Sequence, residues 1–191
     1  MQFKIRNTTV KISFTFFALI LILLLTNTKE MYIFAFISAM LHETVHLFFI
    51  TVFSGLPKSI TLSIFGGNIE RNITTCSNPQ EFIINISAPV FNILLGIVLL
   101  LLKKSTFGVI NIVLGVFNIL PFYNFDGGNA LKIMLQNIVS EEASDKIIFI
   151  ISVLLTVVFT IFSITTIITS NMNFTVIFIS IYMLVTVIFK K

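Results

Sequence analysis

Three polar residues interrupt the apolar stretch MLHETVHLFF at residues 40–49. Residues four apart share one face of an α-helix, so His42 and His46 are expected to point the same way, with Glu43 beside them. Two imidazoles at this spacing can bind one zinc ion, and a neighbouring carboxylate can move protons at the metal. The H-E-x-x-H pattern therefore predicts hydrolytic zinc chemistry.

The alternative is a structural role, in which the same side chains join helices through hydrogen bonds. An ionisable group in the middle of a bilayer costs roughly 2.5 to 3.5 kcal/mol on insertion scales. Serine or threonine would serve helix packing at a lower cost, and His42 and His46 are the only two histidines in the chain. The pattern thus favours a functional site over a packing role.

A catalytic zinc ion usually takes three protein ligands and keeps a fourth position open. The chain has two aspartates, and Asp145 lies in the acidic stretch SEEASD, which predicts a solvated turn. Asp126 instead follows Pro121, which is expected to end a helix, and precedes Gly127 and Gly128, which are expected to allow a sharp turn. Because a carboxylate in an apolar segment needs a partner, we predict Asp126 as the third ligand. The alternative is a helix cap or turn residue at the membrane surface.

The composition is that of a polytopic membrane protein. Of the 191 residues, 57% are hydrophobic and only 10% are charged. The net charge of +4 comes mainly from basic residues at the chain ends and in short loops, so it bears on membrane topology, and no nucleic acid partner is expected. Cys76 is the single cysteine, which excludes an intramolecular disulfide.

Six apolar runs are long enough to cross about 30 Å of hydrocarbon. They are residues 10–26, 31–53, 82–102, 107–122, 147–169 and 174–189. The first run follows basic residues as in a signal peptide, but no cleavage pattern follows it, so it is predicted to be retained as a span. With both termini in the cytoplasm, nine of the twelve basic residues lie on the cytoplasmic side. The sequence predicts a multi-pass protein of the cell membrane with this orientation.

Two predicted loops are too long to be simple connectors between spans: residues 54–81 and 123–146. The first contains SITLSIFGGNIERNIT, whose alternating polar and apolar residues predict a β-hairpin that turns at Gly66 and Gly67. The predicted fold class is an all-α polytopic membrane protein with six transmembrane helices and a small β-hairpin insert. Residues 1–191 are expected to form a single integral membrane domain.

The motifs together resemble the site-2 protease family of intramembrane zinc proteases. HETVH is combined with the pattern N-x-x-P-x-x-x-x-D-G, which begins at Asn118. A third motif, SAPVFN, ends at Asn92 and is similar to the central Pro-x-x-Asn element of that family. The resemblance covers residues 33–135 and implies a three-helix catalytic core at about 31–135, with accessory spans at about 10–26, 147–169 and 174–189. The small size looks most like the stage IV sporulation protein FB branch. The C-terminal nucleotide-sensing domain common in that branch is not expected here.

The resemblance implies a zinc metalloendopeptidase in which Zn²⁺ is held by His42, His46 and Asp126, with Glu43 as the general base. Asn92 is a candidate donor to the developing oxyanion or to the substrate backbone, and an interhelical hydrogen bond is an equally good interpretation of it. The implied substrates are membrane-tethered precursors such as a pro-sigma or anti-sigma factor. Inhibitory membrane protein partners and a homo-oligomer in the lipid bilayer are compatible with the resemblance.

Three other functions compete with this prediction. A protease that uses a downstream glutamate as third ligand is disfavoured because the downstream glutamates are expected in loops: Glu70, Glu81, Glu141 and Glu142. A membrane metal transporter, with the His and Asp cluster as transit site, would carry metal-binding groups in several spans. A catalytically silent scaffold would have no use for Glu43.

Overall fold

The computed structural model describes residues 2–5, 8–12, 30–63, 66–70, 76–169 and 174–189. The chain has two compact units, Met1–Ile119 and Leu120–Lys191. Within the described residues, the first unit contains a small sheet and three helices, and the second contains three further helices.

The helices of the first unit are α1 (Glu30–Ser54), α2 (Asn78–Leu101) and α3 (Ser105–Ile119), and each of the three packs against the other two. The start of α2 follows from its sequence. The backbone N–H of Ser77 donates to Oε1 of Gln80 at 2.9 Å, and Pro79 lies in the first turn, where its missing N–H costs nothing.

Glycines allow the backbones of α2 and α3 to approach closely. A Cβ on Gly96 would lie 2.7 Å from the carbonyl oxygen of Gly108, and one on Gly115 would lie 2.6 Å from that of Pro89. Both distances are too short for a side chain. Small residues at a helix interface are a common packing solution in membranes, where lipid tails compete with apolar side chains.

The sheet of the first unit has four strands in the order β1 (Gln2–Ile5), β2 (Thr8–Ile12), β3 (Ser59–Ser63) and β4 (Gly66–Glu70). The predicted hairpin is β3 with β4, but its predicted turn at the glycine pair was wrong. Gly66 and Gly67 lie within β4 and pair with Ser63 and Leu62. The two residues between the strands lie outside the described residues.

Strands β1 and β2 were not predicted. They pair with each other in antiparallel fashion, and β2 then pairs in parallel with β3, starting with Thr9 opposite Ser59. Residues 10–12, predicted as the start of the first span, belong to β2, in which apolar Val10 and Ile12 flank polar Lys11 with the period of a strand. Residues 13–26 of that predicted span lie outside the described residues.

The helices of the second unit are α4 (Asp126–Gln136), α5 (Glu141–Thr169) and α6 (Phe174–Ile188), with α5 packing against both others. Most of the predicted loop 123–146 is therefore helical. The acidic stretch predicted as a solvated turn instead starts α5. Glu141 and Glu142 favour the positive end of the helix dipole, and the Ser140 hydroxyl accepts a hydrogen bond from the Ala143 N–H at 3.3 Å.

The glutamates that were expected in loops also lie in regular structure. Glu70 ends β4, Glu81 lies in the first turn of α2, and Glu141 and Glu142 lie in that of α5. The prediction of loops was wrong because acidic residues are favoured at helix starts as well as in turns.

An ion pair joins α4 to α5 in the second unit. Nζ of Lys132 lies 2.7 Å from Oδ1 of Asp145. The hydrogen bond from Lys132 to Asp145 holds the pKa of the Lys132 ammonium above its ordinary value. Because this raised pKa is a property of the folded state, the pair stabilises the fold at neutral pH and loses that contribution in strong alkali, as Lys132 deprotonates.

Three helices are long and apolar enough to cross a membrane: Glu30–Ser54, Asn78–Leu101 and Glu141–Ile168. Shorter apolar helices cover Ser105–Ile119 and Ile179–Ile188. The predicted fourth span, 107–122, ends three residues early, at Ile119, before Pro121. The described residues thus have three helices of full spanning length, compared with the six predicted spans.

Candidate metal centre

The two histidines of α1 face each other through one nitrogen each. Nε2 of His42 lies 3.2 Å from Nε2 of His46, and the ring planes meet at 80°. Two nitrogens at about 2.0–2.1 Å from a tetrahedral zinc ion stand about 3.3 Å apart. The separation in this helix therefore matches a pair of imidazoles that share one zinc ion.

Oxygen acceptors hold the other nitrogen of each ring. Nδ1 of His42 lies 3.0 Å from Oδ1 of Asn92, and Nδ1 of His46 lies 2.9 Å from the carbonyl oxygen of Ile84. Because both oxygens only accept, each Nδ1 must carry the proton, and each Nε2 then presents a lone pair. An outer partner of this kind is typical of zinc-binding histidines.

Asn92 is fully buried on α2, and its amide is engaged at both ends. Besides accepting from His42, it donates through Nδ2 to Oδ1 of Asn111 at 3.0 Å and to the carbonyl oxygen of Ser38 at 3.5 Å. Both amide hydrogens are thus directed at protein oxygens. This geometry favours a role in positioning His42 over donation to an oxyanion.

Glu43 follows the first histidine on α1 and is half-buried. A half-buried carboxylate in an apolar helix is partly screened from solvent by its neighbours, which strengthens its interactions with any charge that develops nearby. It is the sole acidic residue of α1 apart from Glu30, which lies in the first turn.

Asp126 is the first residue of α4 and is half-buried. The segment before it is tightly held within the second unit: Phe122 and Phe125 are buried with ring centroids 4.8 Å apart, and the Tyr123 N–H donates to Oγ of Ser152 at 2.7 Å. Asn124 adopts a φ of 69°. The chain therefore turns at Asn124, whereas the turn was predicted at the glycines after Asp126.

Gly128, the second of those glycines, allows close packing and does not form the turn. Gly128 is buried within α4, and a Cβ there would overlap the carbonyl oxygen of Phe122. The helix that begins at Asp126 can pack against the preceding turn only because residue 128 has no side chain.

We expect Gly128→Ala to destabilise the protein by about 1–3 kcal/mol, the usual cost of forcing extra atoms into a packed region. Thermal unfolding in detergent measures this, with Asn129→Ala as the control, because Asn129 is the exposed neighbour on the same turn. Equal melting temperatures for the two variants would contradict the close packing at Gly128.

The donor set fits zinc. His42 and His46 lie on α1 in the first unit, Asp126 begins α4 in the second unit, and their side chains supply two imidazole nitrogens and one carboxylate oxygen. Two imidazole nitrogens and one carboxylate oxygen are a common ligand set of catalytic zinc, and they leave a coordination position for substrate or water.

Sequence reasoning missed Asn111, which is fully buried on α3 and bonded to Asn92. The available signal was an amide in the middle of the apolar run STFGVINIVLGVFNI. A polar side chain in such a run needs a partner, but the sequence does not name that partner.

Comparisons with known proteins agree with this chemistry. A sequence model described as Peptidase family M50 matches residues 102–162. A zinc metalloprotease of Methanocaldococcus jannaschii is 25% identical over 164 residues, which cover 76% of this chain and 48% of the relative. The chain thus spans about half the length of that curated relative.

A solved structure, the site-2 protease from Methanocaldococcus jannaschii, has the same fold. It matches with a TM-score of 0.68 and 23% sequence identity, over 96% of this chain and 91% of that one. The family model, the relative and the fold agree, and the resemblance to the site-2 protease family that the motifs predict is confirmed.

Proposed function

We propose that the protein is a zinc metalloendopeptidase that hydrolyses peptide bonds of membrane-associated proteins in or near the membrane. The observation that carries this proposal is the histidine pair: two Nε2 atoms 3.2 Å apart, each with its Nδ1 held by an oxygen, on a helix apolar enough to cross a bilayer. The agreement of a protease family model with a zinc metalloprotease relative supports the same activity and disfavours a metal transporter.

His42, His46 and Asp126 are proposed as the metal ligands. Their donor chemistry supports this, because two neutral imidazoles and one carboxylate leave a bound Zn²⁺ with a net charge that still attracts electrons from substrate. A zinc ion held by these residues would supply Lewis acidity for polarising the scissile carbonyl and for activating water near neutral pH.

Glu43 is proposed as the general base and acid. Its carboxylate takes a proton from the attacking water as the new C–O bond forms, and gives that proton to the amide nitrogen as the C–N bond breaks. Its position beside His42 on α1 and its half-buried environment support this role. The single carboxyl group thus serves both halves of the reaction, with no net change in its own protonation.

The chain is proposed to cross the cell membrane six times with both termini in the cytoplasm. Three long apolar helices and two shorter ones support a multi-pass arrangement, and the distribution of basic residues supports the orientation. Exposed apolar side chains such as Phe48, Leu94 and Val158 lie on the three long helices, as expected for surfaces in contact with lipid.

Cysteine labelling tests this topology, because Cys76→Ser gives a cysteine-free background. In intact cells we expect an impermeant maleimide to label a cysteine placed at Lys104, in the turn between α2 and α3. Cysteines placed at Gln2 or Lys191 should react only after the membrane is permeabilised. Labelling of either terminal position in intact cells would contradict the proposed orientation.

The proposed substrates are membrane-tethered precursors such as a pro-sigma or anti-sigma factor, in keeping with the resemblance to the stage IV sporulation protein FB branch. The support is physical: a histidine pair in the middle of a spanning helix is accessible to a protein that itself enters or borders the membrane. Inhibitory membrane partners and homo-oligomerisation stay predictions.

Co-expression tests the proposed function. The wild-type protein and Glu43→Gln are each expressed with candidate single-span precursors, and the precursors are followed by immunoblotting. We expect a fragment that appears with the wild type alone. A fragment of equal intensity with both proteins would assign cleavage to another protease.

A further inference from the structure

A chain of hydrogen bonds runs across three helices and ends on a candidate metal ligand. Nδ2 of Asn111 donates to the carbonyl oxygen of Phe107 at 2.9 Å, and Nδ2 of Asn92 donates to Oδ1 of Asn111 at 3.0 Å. Oδ1 of Asn92 then lies 3.0 Å from Nδ1 of His42. Both asparagines are fully buried. We call Asn92 and Asn111 the amide relay.

The direction of every bond in the relay follows from its first acceptor. The Phe107 carbonyl can only accept, so Asn111 must turn its NH₂ group toward it and its oxygen toward Asn92. Asn92 must then donate to Asn111 and offer its own oxygen to His42. Because that oxygen only accepts, the imidazole carries its proton on Nδ1, and Nε2 has a lone pair for a metal.

His46 reaches the same tautomer without the relay. Its Nδ1 lies 2.9 Å from the Ile84 carbonyl oxygen, a backbone acceptor whose direction the helix sets. His42 has a side-chain acceptor at this position instead, and an amide side chain can rotate to present nitrogen. The second amide of the relay removes that freedom, because a rotated Asn92 would bring two oxygens together at Asn111.

We propose that Asn111, acting through Asn92, is a positioning residue that fixes the tautomer and ring orientation of His42 for zinc binding. The inference rests on the proposed function, in which His42 is a zinc ligand. Asn111 lies on α3 and bonds Asn92, which in turn bonds the histidine. A packing role alone would require only that its polar atoms be satisfied, whereas the relay requires a particular orientation of both amides.

The test uses full-length protein in detergent and two variants of the relay. Asn111→Leu keeps the approximate size and removes every hydrogen bond. Asn111→Ser is the milder change, because a serine hydroxyl can bond the carbonyl four residues back, as Ser38 bonds that of Phe34, but it is too short to fix Asn92. Asn85→Leu is the control: Asn85 is a half-buried asparagine of α2 whose side chain, within the described part of the chain, bonds the Glu81 carbonyl of its own helix.

Two measurements, zinc affinity and the tautomer of His42, test the amide relay independently of the proposed function. Zinc affinity is measured by competition with a chelator, and Asn111→Leu is expected to lower it on the order of tenfold, the lower end of the range for outer partners of metal ligands. The tautomer is read by ¹⁵N NMR of histidine-labelled, zinc-free protein, in which the two histidines give two ring spin systems. In the relay variants, only the ¹⁵N signals of the His42 ring should change. The His46 signals in these variants, and both histidine signals in Asn85→Leu, should match those of the wild type.

The possible outcomes distinguish failure of the amide relay from failure of the proposed function. A wild-type His42 protonated on Nε2, or relay variants with unchanged zinc affinity and unchanged His42 signals, would overturn the relay. A wild type that shows the expected tautomer but binds no zinc would leave the relay in place and overturn the proposed function. Loss of zinc affinity in Asn85→Leu equal to that in Asn111→Leu would assign the effect to general destabilisation and would also overturn the relay.

Discussion

Replacing Glu43 by glutamine is expected to abolish peptide-bond cleavage while zinc stays bound. The amide has nearly the shape of the carboxylate but cannot take a proton from water, so the variant loses the general base and retains the proposed ligands. Positioned acid–base groups contribute typically about 10²–10⁴-fold to rate. We expect a loss of at least this size in the rate of precursor cleavage by purified protein, with zinc content measured on the same samples.

Glu30→Gln is the matched control, because Glu30 lies on the same helix but is exposed in its first turn. This variant should cleave at the wild-type rate. If Glu43→Gln cuts as fast as Glu30→Gln, the proton transfers depend on another group.

Replacing Asp126 by alanine is expected to remove zinc and activity together. Two imidazoles alone leave a zinc ion short of the three protein ligands that catalytic sites usually have. Removing the carboxylate also removes the only negative charge in the proposed ligand set, and charge neutralisation is a large part of binding a dication away from water. We expect substoichiometric zinc after purification by metal analysis and no detectable precursor cleavage.

Asp145→Asn is the control for this variant. Asp145 is the other aspartate of the chain, lies in the same structural unit as Asp126 and bonds Lys132 across α4 and α5. It should keep full zinc occupancy and lose little stability, because partly exposed ion pairs contribute little. Full zinc occupancy in Asp126→Ala would instead assign the third ligand to another residue.

Several features could be predicted from sequence because they depend on local chemistry. The apolar runs predict α1, α2 and α5, since only a helix satisfies the backbone over such lengths in lipid. The spacing of His42 and His46 predicts that they share a face, because helical periodicity alone brings them together. The end of α3 before Pro121 follows in the same way from the missing proline N–H.

Other features depend on contacts that sequence does not specify. The pairing of β2 with β3 joins residues about fifty positions apart, and TTVKI is too short and too close to an apolar run to be recognised as a strand. The sequence leaves the role of Asn92 open because its partners, His42 and Asn111, come from different helices. The acidic residues at the start of α5 predicted a turn because turns and helix starts favour the same residue types.

We propose that His42, His46 and Asp126 bind one zinc ion together. An experimental structure with anomalous diffraction recorded at the zinc absorption edge tests it most directly. We expect a single peak at about 2.0–2.2 Å from Nε2 of both histidines and from a carboxylate oxygen of Asp126. A zinc peak bound by the histidines without the Asp126 carboxylate, or no peak at this site in zinc-saturated protein, would contradict it.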